Sequence, residues 1–126
     1  MFVADTHSLV WFILKKAPPK VREIFQLAEK EAAKIYIPTI ALAEIFYIVQ
    51  KERVKLDYNG MLKIIDENPN LIVVSFNYQV LREFIQMKNL DLHDQIIVAT
   101  AKFLNATLIT KDRKIRESKI VSTIWN

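Results

Sequence analysis

Short apolar runs alternate along this chain with longer stretches whose apolar positions recur every three or four residues. The runs predict strands at residues 2–5, 34–37, 71–75 (LIVVS) and 106–110 (ATLIT), with 120–122 a candidate for a last one. The longer stretches predict helices over 8–15, from the Pro18-Pro19 pair to about residue 33, from Pro38 and Thr39 to about residue 53, and over 58–67, 78–88 and 92–105. Thr39 is the expected N-cap of the third helix. Asn59-Gly60 and Pro69 bound the fourth. Strands apolar on both faces and separated by helices predict an α/β protein, with a parallel sheet covered by helices. Ligands of such sheets bind beyond the carboxyl ends of the strands, so acids at those ends become candidates for chemistry.

At 126 residues one domain, 1–126, is expected, and 52% hydrophobic with 25% charged residues is the composition of a folded globular chain. Asp5, Lys15 and Glu44 interrupt the richest apolar segments, so no membrane span is expected. No basic lead precedes the first apolar run, so no secretory signal is expected either. Cysteine is absent, which excludes disulfides and thiolate metal sites and fits a cytoplasmic protein. The single glycine, Gly60, excludes glycine-rich phosphate loops. The net charge is +4, with basic clusters at Lys15, Lys16 and Lys20, at Lys51, Arg53 and Lys55, and from Lys111 to Lys119. A polyanion such as nucleic acid and a merely solvated surface account for these clusters equally well.

Four acids sit where the pattern does not want them. Asp5 ends the first strand, and its commoner use is to cap the following helix. Glu44, in TIALAEIFYIVQ, shares a helical face with Ile40, Ala43, Tyr47 and Ile48, which places it inside an apolar stripe where acids are rare unless paired. At the edge of that stripe it would instead reach solvent or a lysine. Asp94, in DLHDQIIVATAKFL, shares a face with Ile97, Val98 and Ala101, while Asp91 and Asp94 also have the spacing of an N-cap and a third-position acid. Asp112 follows ATLIT just past a strand end, where a turn aspartate or a salt bridge to Arg113 or Lys114 is the ordinary use. Each bland use is tolerable alone. Gathered at one end of one sheet, the four would repel one another until one held a proton or a divalent cation joined them. Hard oxygen donors with only two histidines favour Mg²⁺ or Mn²⁺ over zinc. Paired ions of that kind, about 4 Å apart, hydrolyse phosphodiesters.

These residues carry a resemblance. VADTHSLVW, IPTIALAEIFYIV and HDQIIVATAKFLNATLITKDRKI resemble the aspartate, glutamate and later acidic motifs of the PIN-domain ribonucleases, in particular the VapC-type toxins of toxin–antitoxin pairs, over essentially the whole chain. The resemblance implies a three-layer α/β/α sandwich around a mostly parallel sheet, often as a homodimer. It implies a Mg²⁺- or Mn²⁺-dependent endoribonuclease held inactive by an antitoxin protein. Asp5, Glu44, Asp94 and Asp112 become its catalytic and metal-binding set: Asp5 and Asp94 as ligands, Glu44 orienting water or binding the ion, and Asp112 completing the ion's surroundings. The nucleophile would be a metal-activated water, leaving a 5′-phosphate and a 3′-hydroxyl. Thr6 and Thr110 match the family's hydroxyl neighbours of the carboxylates. Many relatives carry a proline and an arginine where this chain has DLHDQ, which makes Asp91 a second candidate there, though the spacing to IIVATA favours Asp94.

Lys111 and Arg113 flank Asp112 and are candidates to grip RNA phosphates or are ordinary surface residues. His7, beside a helix start, reads as structural, and His93 as a phosphate contact or a solvent-facing residue. Trp11 and Trp125 read as core or interface. Two other enzyme classes fall behind: a haloacid-dehalogenase phosphotransferase needs an aspartate where His7 stands, and a receiver domain needs an acid where LIVVSFN offers Ser75. The alternative from another class is a PIN-like fold kept as a catalytically silent RNA-binding or protein-interaction module.

Overall fold

The computed structural model describes residues 1–126, the side chains of 85 and 86 excepted. Five strands, β1 (Phe2–Ala4), β2 (Ile35–Pro38), β3 (Leu71–Val74), β4 (Thr107–Ile109) and β5 (Thr123–Ile124), pair in the order β3-β2-β1-β4-β5. Every pairing is parallel, with Val3 opposite both Tyr36 and Leu108. Successive strand residues point to opposite faces. Ala4 and Ile109 accordingly enter one core with Leu9, Phe25 and Met61, while Val3 and Leu108 enter the other with Val80, Ile97 and Ile115.

The first core lies under α1 (Thr6–Ile13), α2 (Pro19–Glu29) and α4 (Tyr58–Glu67), where Phe12 and Phe25 stack with ring centroids 3.9 Å apart. The second lies under α5 (Tyr78–Arg82), α6 (Leu92–Leu104) and α7 (Arg113–Ser118). α3 (Thr39–Gln50) contributes Ile45 to the first core and Ile40 to the second. The three-layer α/β/α sandwich follows, its sheet parallel throughout. Among the described residues no helix is long and apolar enough to cross a membrane.

The connection from β1 leads to β2 on one side, whereas β4 enters on the other. The strand order therefore reverses between β1 and β4, which is where doubly wound sheets open a crevice at their carboxyl edge. Asp5 follows one of these strands and Asp112 lies just beyond the other.

Four expectations need correction. Thr39 is not an N-cap: Pro38 holds that position without a side-chain bond, and Thr39 is already helical and exposed. The helix expected over 78–88 stops at Arg82 and tightens into a 3₁₀ turn, Glu83–Gln86, before Met87 turns extended. The short α7 was not expected, because RKIRES has a single apolar residue, Ile115, and so no periodicity to read. The last strand lies at Thr123–Ile124 rather than 120–122: Lys119 takes a left-handed conformation (φ 55°), and Ile120 and Val121 pack into the second core instead of the sheet.

Candidate active site

Asp5 leaves β1 in an extended conformation and caps α1, its Oδ1 accepting the Ser8 N–H at 2.9 Å. The Ser8 hydroxyl lies 2.5 Å from the same oxygen and 2.7 Å from the carbonyl oxygen of Ile109 in β4. The Ser8 hydroxyl thus bridges the Asp5 carboxyl and the Ile109 carbonyl. Burial pushes the Asp5 carboxyl above its ordinary range, opposed by the hydrogen bonds from Ser8 and Thr110 and by the charge of His7. Ser8 was not singled out from the sequence, although its place three residues after a capping acid was a readable signal.

Glu44 projects from the middle of α3. Thr6 donates its hydroxyl to Glu44 Oε1 at 2.8 Å, and His93 Nδ1 stands 3.3 Å from Oε2. Asp94 comes from the first turn of α6, whose N-cap is Asp91: Asp91 Oδ1 accepts the Asp94 N–H at 3.0 Å. Asp112 caps α7 by accepting the Ile115 N–H at 2.9 Å, while its own N–H donates to the buried Thr110 hydroxyl at 3.0 Å. Thr110 thus touches both strand-end acids.

The four predicted acids line one cleft of about 470 Å³, and Asp91 is a fifth. Thr6, His7, Trp11, Ile97 and Lys111 complete its wall. Burial, then the charges of Asp91, Asp112 and Glu44, push the Asp94 carboxyl up to about 7. Among the described residues no lysine or arginine forms an ion pair with any of these acids. The salt bridge considered for Asp112 with Arg113 or Lys114 does not form; Arg113 binds Glu117 at 2.7 Å and does not line the cleft. Lys111 does line it, with Nζ 4.4 Å from the centroid of the Trp11 ring rather than on a carboxylate. Trp11 in turn meets the buried Trp125 edge-on at 5.8 Å. His7, the second residue of α1, is exposed at the rim.

Among the described residues no three histidines or acids form a ready-made metal-ligand set. The donor chemistry nonetheless fits a hard divalent cation: carboxylates around one cleft, no thiolate, and a mutual repulsion that, among the described residues, no paired lysine or arginine relieves.

A family model described as PIN domain matches residues 2–120. No curated protein matches the sequence. Solved structures of similar fold include VapBC2 from Rickettsia felis bound to a DNA fragment from their promoter, at 22% identity and a TM-score of 0.77, covering 99% of this chain and 98% of that one. DNA-bound VapBC from Salmonella typhimurium is 21% identical with a TM-score of 0.72, covering 98% and 96%. A toxin–antitoxin complex from Klebsiella pneumoniae is 20% identical with a TM-score of 0.66, covering 98% and 97%. At these identities the likeness is one of fold.

Proposed function

The chain belongs to the PIN domain family, and from that premise we propose that it is a metal-dependent endoribonuclease, the toxin of a type II toxin–antitoxin pair. One observation carries the reading: acids from the end of β1, α3, α6 and the start of α7 converge on one cleft, and among the described residues no lysine or arginine is ion-paired with them. A purely structural cluster of that kind would be matched by cations, since carboxylates crowded together repel one another and the buried Asp5 is costly without a partner. Asp5 and Asp94 are the proposed ligands of Mg²⁺ or Mn²⁺, with Glu44 and Asp112 beside them. When bound, such an ion lowers the pKa of water and stabilises charge on a phosphoryl oxygen.

The chain's own groups prepare that site. Ser8 and Thr110 hold the Asp5 carboxyl at the strand end, and Thr6 and His93 fix both oxygens of Glu44. Lys111, at the cleft wall, supplies positive charge for an RNA phosphate. The proposed partners are RNA, an antitoxin protein and a second copy of the chain, in the cytoplasm. The relatives in complex with their partners support the antitoxin, and the family resemblance supports the homodimer.

Structured RNA incubated with the protein and Mn²⁺ and followed by gel tests the reading. Wild type is expected to produce discrete fragments that Asp94→Asn does not. Identical patterns from the two proteins across a broad panel of RNAs would overturn it and favour the silent RNA-binding module.

A further inference from the structure

Apart from Ile40, which also packs against the second core, the stripe of α3 that carries Glu44 does not face the interior. The positions of α3 that are fully buried are Ala41 and Ile45, whereas Ala43 and Tyr47 are exposed. Together with Ile40 and Ile48 they form the apolar wall of a second pocket, closed by Val54 beyond the end of the helix. Its volume, about 670 Å³, falls within the range of small-ligand sites, roughly 300–1,000 Å³. The pocket is continuous with the acid cleft, for His7 and Glu44 line both.

We propose that this pocket takes one unstacked base of the RNA whose phosphodiester lies among the carboxylates; the inference rests on the nuclease reading. A nucleotide holds its base beside its phosphate, so a strand threaded through the cleft presents a base at the neighbouring opening. The chemistry of the lining suits that occupant. Tyr47 is 52% exposed, with the Lys51 ammonium over its ring at 5.4 Å from the centroid, and among the described residues that ring packs on no other aromatic side chain, unlike Phe46, whose ring meets Tyr58 at 5.2 Å. A tyrosine face of this kind is a stacking platform for a base. Arg53 and the imidazoles of His7 and His93 place polar groups at an otherwise apolar site, where they can meet the edge of a base. Arg53 forms no ion pair among the described residues, so its charge is available to the adjoining phosphate.

Amide shifts in a ¹⁵N spectrum of the whole metal-free chain test this without any cleavage. The probes are the four ribonucleoside 5′-monophosphates, with ribose 5-phosphate as the baseless control. At least one nucleotide is expected to move the amides of Ala43, Tyr47 and Val54 saturably, and ribose 5-phosphate to leave them in place. Ala43→Trp fills the pocket from an exposed helical position, and Tyr47→Ala removes the platform; each is expected to weaken nucleotide binding about tenfold while distant amides stay unmoved. The proposal is overturned if none of the four nucleotides moves these amides, or if ribose 5-phosphate moves them equally. Shifts driven by protein concentration alone, which would mean that a second copy covers the pocket, overturn it as well. A failed titration beside intact Mn²⁺-dependent cleavage removes only the base pocket, whereas nucleotide binding without cleavage removes the nuclease reading.

Discussion

Thr6 donates its hydroxyl proton to Glu44 across 38 positions of chain, at 2.8 Å. The bond ties the first turn of α1 to the middle of α3, so the carboxylate is held from outside its own helix. Thr6→Val keeps the shape and removes the donor. Stability is expected to fall by about 1 kcal/mol, and cleavage or metal affinity by about 10–100-fold, as for other groups that orient a ligand. Urea denaturation and Mn²⁺ titration of the cleavage rate measure the two effects, and an unchanged titration would mean that Glu44 needs no such support.

Asp94 gives a pH dependence with a definite sign. Its carboxyl rises from an ordinary 3.8 to about 7 in the folded chain, so the folded state binds that proton more tightly than the unfolded state. The stability lent by this group is complete below the ordinary value and is lost as pH climbs through about 7. In the presence of a chelator, the protein is expected to melt at a lower temperature near pH 8 than near pH 5, and Asp94→Asn to reduce that difference. Calorimetry at the two pH values decides it. A difference as large in the variant as in wild type would mean that other groups set it.

Asp112 has two duties that substitution separates. Asparagine caps a helix as well as aspartate does, so Asp112→Asn is expected to keep stability within about 0.5 kcal/mol, whereas Asp112→Ala loses about 1 kcal/mol with the cap. Cleavage is expected to fall equally in both, because both lack the charge. Thermal melts paired with RNA gels make the comparison; full activity in the asparagine variant would reduce Asp112 to a cap.

Lys111 and Arg113 are neighbours in sequence with different surroundings. Lys111→Met keeps an apolar stem over Trp11 and deletes the charge at the cleft, so the slope of log affinity against log salt for single-stranded RNA is expected to flatten by about 0.7. Arg113→Gln, whose parent is paired with Glu117 outside the cleft, is expected to leave the slope alone. Anisotropy titrations over a range of KCl concentrations measure both, and equal slopes for all three proteins would remove Lys111 from the binding surface.

Much of this architecture is legible in single residues. The strands at the centre of the sheet are apolar on both faces because both faces are buried, and that leaves a run that needs no partner to be recognised. Asp5 and Asp112 were legible as strand-end acids for the same reason. Their capping bonds span three residues, so the bonds too can be read locally. The stripe around Glu44 was legible as a pattern but not as a direction: the same spacing serves a helix face turned into a core and one turned toward an open pocket. Lys111 offered no local sign that it would lie over Trp11, a hundred positions away, instead of joining the acids.

By itself the sequence determined the kinds and order of the elements other than α7, and the acids at strand ends and helix starts, since these depend on periodicity and on bonds between near neighbours. Only the tertiary structure decided that β4 would lie beside β1, that acids from four elements would share one cleft and raise the Asp94 carboxyl, and that the apolar face of α3 would stand open next to them. Those outcomes depend on distances between residues far apart along the chain, and such distances exist only once packing has closed the sheet.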